Sequence, residues 1–201
     1  MRWYQSLFGW RPALAARPVL SDLFTSTPPA WAFFLDYVAY PLLIVMCMWL
    51  ALRGDTVAQA VTAFMFMGLG FAIWTLAEYL LHRFILHHVP LFRKSHMAHH
   101  DMPRDFIGTP TIASVAIFLV VVFAPLGGAL GIGTGAALSV GLLGGYLSYV
   151  MFHFMLHHGG SGGFAHVRKL KRHHALHHHR ANDCNFGVTT MIWDRIFSTL
   201  K

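Results

Sequence analysis

Residues 135–158 read GAALSVGLLGGYLSYVMFHFMLHH. No charged residue interrupts the first 18 positions, and the run has roughly the 20 residues that a helix needs to cross the hydrocarbon of a bilayer. It then ends in imidazoles. His153 and His157 stand four apart, the spacing that places two side chains on one face of a helix. One stretch therefore predicts a membrane span with a pair of ring nitrogens at its end.

Three more apolar stretches precede it, at about residues 31–52, 57–81 and 111–132, and the fourth is assigned to about 135–156. The link RGDT joins the first two and GIGTG the last two. Links so short predict two tight helical hairpins. The composition agrees with a membrane protein, since 56% of the 201 residues are hydrophobic and only 11% are charged. Cys47 and Cys184 show no pairing pattern and no spacing for a thiolate metal site. The N-terminal segment, residues 1–30, opens MRWYQSLFGWRPALAARPVL. Arg11 and Arg17 break the apolar core that a cleaved signal peptide requires. Trp3, Trp10 and the arginines suit the headgroup layer, so this segment reads as an interfacial lead-in. The expected fold is an all-α integral membrane protein: four transmembrane helices in two hairpins, one domain over residues 31–201, and a helical cap built from 82–110 and 157–201.

Charge tests this layout. With the N-terminus on one side, that side receives 14 of the 15 lysines and arginines, and only Arg53 lies opposite. The positive-inside rule then places both termini and the cap in the cytoplasm. The net charge of +7 follows from topology and anionic headgroups, and gives no reason to invoke nucleic acid.

All 15 histidines fall in two blocks, 82–100 and 153–179, each beginning at the cap-side end of a span. They repeat a pattern: HxxxxH at His82 and His87, HxxHH at His96, His99 and His100, HxxxH at His153 and His157, and HxxHH again at His174, His177 and His178. Each HxxHH is expected to aim three rings in one direction. A hydrogen-bonded interfacial role explains a lone histidine, and a metal-scavenging tract explains a disordered run. Neither accounts for ten imidazoles in four phased groups. Buried rings need partners, and a metal ion satisfies several at once. Ten ligands exceed the places around one ion, which predicts two. Spacing leaves one register open in 172–179, because His173 and His177 are also four apart.

Imidazole suits zinc, iron, copper and nickel alike. Location narrows the chemistry. A site beneath a membrane body meets lipid, and an unactivated C–H bond needs an oxidant such as iron with dioxygen supplies. A catalytic zinc usually needs three protein ligands. A membrane metal transporter or store is the non-enzyme alternative, but it would place polar ligands near the bilayer midplane. Here the midplane is apolar apart from Asp36.

The segments EYLLHRFILHH, HMAHH, YVMFHFMLHHG and KRHHALHHHRANDCNFGVTTMIWDRIFSTL resemble the fatty acid hydroxylase superfamily, which includes sterol desaturases, and most closely its fatty acid 2-hydroxylase branch. The resemblance covers about residues 74–200. It implies a di-metal oxygenase, nominally di-iron, that uses dioxygen to insert one oxygen atom beside an acyl carboxyl or amide. Iron is the expected metal and zinc a possible one after isolation. The metal ligands it implies are His82, His87, His96, His99, His100, His153, His157, His174, His177 and His178. Desaturation or hydroxylation of a sterol, carotenoid or other lipid is the alternative by the same centre. The branch tends to carry an acid three positions before the first histidine of HxxxH, where this chain has Val150. Eukaryotic members are often fused to a haem domain with an HPGG motif. None is present here, so a separate electron-transfer protein or reductase is implied.

Two divalent ions among neutral ligands favour nearby carboxylates and groups that fix which ring nitrogen faces the metal. The candidates are Glu78, Asp101, Asp105, Asp183, Asp194 and His173. Glu78 leads because an acid at a span's end is costly without a role; an ion pair with Arg83 is its alternative. Asp194 is alternatively a brace for the C-terminal segment. Asn185 and Gly187 read as turn residues that fold that segment back over the site.

Overall fold

A computed structural model describes residues 30–159, 164–179 and 183–201. The N-terminal lead-in assigned from sequence lies outside the described residues. Among those residues the secondary structure is helical. In chain order the helices are α1 (Ala30–Phe34), α2 (Asp36–Ala51), α3 (Val57–Leu80), α4 (Pro90–Asp101), α5 (Thr111–Ile117), α6 (Ala124–Leu130), α7 (Ile132–His158), α8 (Ala165–His179) and α9 (Ile192–Ile196). A π-helical segment, Leu81–Leu86, prolongs α3, and a second, Phe118–Phe123, joins α5 to α6.

Among the described residues, four helical stretches are long and apolar enough to cross a membrane: Trp31–Ala51, Val57–Leu86, Thr111–Leu130 and Ile132–His158. The first three agree with the sequence reading to within a few residues. The fourth starts at Ile132, because the turn before it contracts to Gly131, whose φ of +80° only glycine adopts readily. Other boundaries follow local chemistry. Thr56 and Gln59 form a reciprocal capping box at the start of α3. Pro90 opens α4, where its missing N–H costs nothing.

Helix α7 lies at the centre, packed on α3, α2 and α6. Small residues allow this. A Cβ at Gly141 would strike the carbonyl oxygen of Met67, and one at Gly70 would strike that of Leu138. The two backbones approach too closely for any side chain there. Around this contact Tyr40, Cys47, Met67, Phe118 and Leu143 form the core of the bundle. Outward-facing Trp49, Phe64, Met65, Val120 and Val121 are exposed, as a lipid-facing surface requires. The one acid inside the first span, Asp36, accepts hydrogen bonds from the Thr111 hydroxyl at 2.6 Å and the Tyr146 hydroxyl at 3.1 Å, and so ties α2 to α5 and α7. A smaller cluster of Leu156, Leu170 and Val188 supports the end of α7 and the underside of α8.

Replacing Gly141 by valine should force α3 and α7 apart. Overpacking of this kind costs about 1–3 kcal/mol or more. A thermal-unfolding midpoint lowered by several degrees in detergent is the expected result, whereas Gly144→Ala, with open space at its Cβ, should leave the midpoint unchanged.

Candidate metal centre

The four phased histidine groups converge at the ends of α3 and α7. One ring nitrogen from each of His82, His87, His96, His100 and His177 lies within 4.8 Å of the others, and the same holds for His99, His153, His157, His174 and His178. The ten histidines singled out in the sequence are thus brought together in two sets of five.

Local geometry explains how each set forms. His82 and His87 are five apart, a spacing that diverges on an α-helix. They sit on the π-helical end of α3, where residues five apart stack one above the other. Their rings lie 5.2 Å apart and nearly parallel. Each HxxHH divides between the sets instead of pointing one way. On α4, His96 and His100 join the first set and His99 the second; on α8, His174 and His178 join the second and His177 the first. Positions i and i+4 share one line of the helix while i+3 falls beside it, so each cap helix reaches both sets. His153 and His157, at the end of α7, complete the second set.

The nitrogen spacings state what would fit between them. Within the first set, Nε2 of His96 lies 3.0 Å from that of His87 and 3.1 Å from those of His82 and His100; His87 and His177 are also 3.1 Å apart. In the second, His99, His153, His157 and His174 show separations of 2.9–3.1 Å. With a metal–nitrogen bond of about 2.1 Å, ligands at right angles lie about 3.0 Å apart and tetrahedral ligands about 3.4 Å. The sets match the edges of a polyhedron with more than four corners. Burial and the neighbouring rings keep these imidazoles neutral, pushing His87 and His177 down to about 4 and His99 and His100 down to about 3. Neutral rings with convergent lone pairs repel unless a cation lies between them.

The segment after α8 fixes two of these rings. His82 Nδ1 donates to the Phe186 carbonyl at 2.5 Å and His177 Nδ1 to the Cys184 carbonyl at 2.7 Å. A proton held on Nδ1 leaves the Nε2 lone pair facing the set. Between those carbonyls, Asn185 adopts a left-handed φ of +57° and clamps the backbone of Lys201 through its carboxamide. Two acids hold the segment. Asp194 accepts from the N–H groups of Phe186 and Gly187, each at 2.8 Å, from the Thr199 hydroxyl at 2.7 Å and from His173 Nε2 at 3.0 Å. Burial alone would raise its carboxyl, but the bonds from His173, Thr199 and Gly187 outweigh this and hold it below the usual range. Glu78 accepts from the Val188 N–H at 2.6 Å, the Thr189 N–H at 3.1 Å and the Thr189 hydroxyl. Arg83 instead donates to the Tyr79 hydroxyl.

His173 therefore faces Asp194, while its neighbour His174 faces the second set. Asp101 is exposed at the end of α4, Asp183 is exposed in a 3.6 Å ion pair with Lys201, and Asp105 lies at the rim of a cavity. Sequence reasoning missed the carbonyls of Cys184 and Phe186, which carry no side-chain signature. It also passed over Tyr149, whose ring stacks on His153 with centroids 5.4 Å apart. Its spacing of four from His153 was the available signal.

A cavity of about 410 Å³ runs from His82, His96, His99, His153 and His157 toward Asp36 and Tyr146. Phe33, Ile85, Val150 and Phe154 give it largely apolar walls, and neither lysine nor arginine is among the described residues that line it.

Comparison with known proteins agrees with this geometry. The chain is 36% identical over 144 residues to fatty acid 2-hydroxylase of Rattus norvegicus, covering 66% of this chain and 38% of the relative. It is 35% identical over 190 residues to the ceramide very long chain fatty acid hydroxylase SCS7 of Saccharomyces cerevisiae, covering 86% and 46% respectively. It thus spans less than half of the length of these two relatives. A solved structure of full-length scs7p, in which only the hydroxylase domain is visible, superposes with a TM-score of 0.73 at 28% identity over 92% of this chain and 70% of that one. The fatty acid hydroxylase family model matches residues 67–199, a span holding all ten converging histidines, and the chain belongs to that family.

Proposed function

We propose that this chain is a membrane di-metal oxygenase that hydroxylates a lipid acyl chain, at the carbon next to an acyl carbonyl. The observation that carries the proposal is the pair of abutting five-imidazole sets at one end of an apolar cavity. The five nitrogens of the first set at about 3 Å, and the four of the second at the same spacing with His178 within 4.8 Å of them, would each hold a divalent ion. Two iron ions held there, with dioxygen and two electrons from a separate donor protein, supply an oxidant able to attack an unactivated C–H bond. One oxygen atom enters that bond, and the other leaves as water with two protons and the two electrons.

The chain's own residues select and hold the substrate. The cavity walls bury an acyl chain and exclude water, and Asp36, Tyr146 and Tyr149 offer the polar contacts along its length. Without a lysine or arginine in the described lining, an uncharged acyl amide fits better than a free carboxylate. The relatives' names, which include ceramide and fatty acyl hydroxylases, support the same substrate class. Glu78, Asp194 and His173 act at one remove, by holding the segment whose carbonyls orient His82 and His177. The membrane domain comprises residues 31–201, with the two hairpins presenting the cap, the centre and both termini to the cytoplasm.

Expression in a host of known lipid content, followed by mass spectrometry, tests the reaction. A gain of one oxygen on the acyl part of an amide-linked lipid is expected; loss of two hydrogens would identify desaturation and overturn the proposal. Purified chain should carry two metal ions, and His174→Ala should lower that number and abolish activity. His173→Ala should keep both ions and lower thermal stability by about 1–3 kcal/mol, because a buried acceptor loses its donor. Reporter fusions after residue 54 should read as non-cytoplasmic and fusions after 201 as cytoplasmic, as the distribution of basic residues requires.

A further inference from the structure

The two histidine sets differ in ways their shared composition conceals. All five rings of the first set are buried, whereas His153, His157 and His178 of the second are partly exposed. The hydrogen bonds behind the rings differ as well. In the first set His82 and His177 are each anchored through Nδ1 to a backbone carbonyl, and His100 has a buried Nδ1 without a partner among the described residues. In the second, His99, His174 and His178 all have a buried Nδ1 without a partner among the described residues. His178 is the least constrained, since its Nε2 also makes no hydrogen bond and its ring simply stacks on His100 at 4.1 Å.

We infer that the two ions are held unequally: the set of His82, His87, His96, His100 and His177 retains its ion, and the set of His99, His153, His157, His174 and His178 exchanges its ion readily. The inference rests on the reading of the ten histidines as ligands. A ring whose Nδ1–H is bonded to a fixed carbonyl is already aimed and already in the right tautomer, so binding costs it no reorientation. A ring without that bond must be ordered by the metal itself. Buried ligands also slow water-assisted release, and three rings of the second set are partly exposed, whereas the cavity touches rings of both sets.

Asn185 is the positioning residue in this scheme. Its left-handed backbone presents the carbonyls on either side to two rings of the same set, and its carboxamide fastens that turn to Lys201. The ring of Phe186 and the two carbonyls meet His82, His87 and His177, all of the first set, so this segment acts on the first ion.

The test uses the full chain in nanodiscs, loaded with zinc and titrated with a chelator, with the metal retained per chain counted by mass spectrometry. A plateau at one ion per chain, extending over at least a tenfold range of free zinc, is expected. Orienting groups of this kind typically change metal affinity by about 10–100-fold. His178→Ala should start at one ion and release it at the higher chelator concentration of the wild type. His177→Ala should abolish the plateau. Asn185→Gly, which keeps the backbone conformation but removes the clamp, should shorten the plateau by about tenfold or more while both ions still bind. Release of both wild-type ions in one step, or the reverse pattern in the two histidine variants, would overturn the ranking. A chain that takes up no zinc at all would overturn the ligand reading, and the ranking with it.

Discussion

The convergence of neutral imidazole lone pairs is the constraint on which the rest of this structure depends. Rings packed with nitrogens about 3 Å apart, most of them buried, cannot satisfy one another, because neutral nitrogens that all present lone pairs have no protons to share. Protonating one ring would place a charge among close neighbours in a poorly solvated site, and the depressed values of His87, His99, His100 and His177 reflect that cost. A cation is the partner that turns this mutual repulsion into binding. The scaffold then has one task above others, which is to hold ring positions to within a few tenths of an ångström.

It does so through several kinds of support. His153 and His157 ride on α7, which is fixed on two sides by close backbone contacts such as Gly141 against Met67. His82 and His87 depend on a π-helical turn, an arrangement that leaves backbone hydrogen bonds longer in register and therefore persists only where something requires it. The cap helices α4 and α8 each serve both sets, so neither set can form without both helices in place. The segment around Asn185 then closes over the first set, held by Glu78 from the membrane side and by Asp194 from its own C-terminal turn. Acids absent from direct contact with the rings still shape the centre, through a chain of carboxylate, backbone N–H, backbone carbonyl and imidazole.

Sequence pattern revealed the parts of this that depend on side-chain type. The four spans, the histidine groups and the interest of Glu78 and Asp194 all follow from residues that are costly in an apolar setting. The turn character of Asn185 and Gly187 was legible for a similar reason, since few residues accept the left-handed backbone of the first or the close approach of Thr190 to the second. Three features were hidden. The π-helical turn has no signature beyond a five-residue spacing that looks like an irregularity. The division of each HxxHH between two sets follows from helix geometry only once partners on both sides are known; periodicity alone suggests a single face. The carbonyls of Cys184 and Phe186 are chemically the same as every other backbone carbonyl, and only the path of the chain gives them a role.

Val150 shows how position within the cavity matters more than the identity of one side chain. It is buried three residues before His153 and lines the apolar wall, so this part of the channel carries no charge. Of the carboxylates that line the same cavity, Glu78 is bonded to the segment of Val188 and Thr189, and Asp36 arrives from a different span and is bonded to Thr111 and Tyr146. Placed there, an acid links three helices and still borders the space an acyl lipid would occupy. One polar part of the cavity is therefore built at a junction between helices, where its geometry is fixed by packing, while Val150 and Phe154 keep the wall on the α7 side of the histidines largely apolar. That division suits a site in which water must be kept from the centre and a long hydrocarbon must be held still beside it.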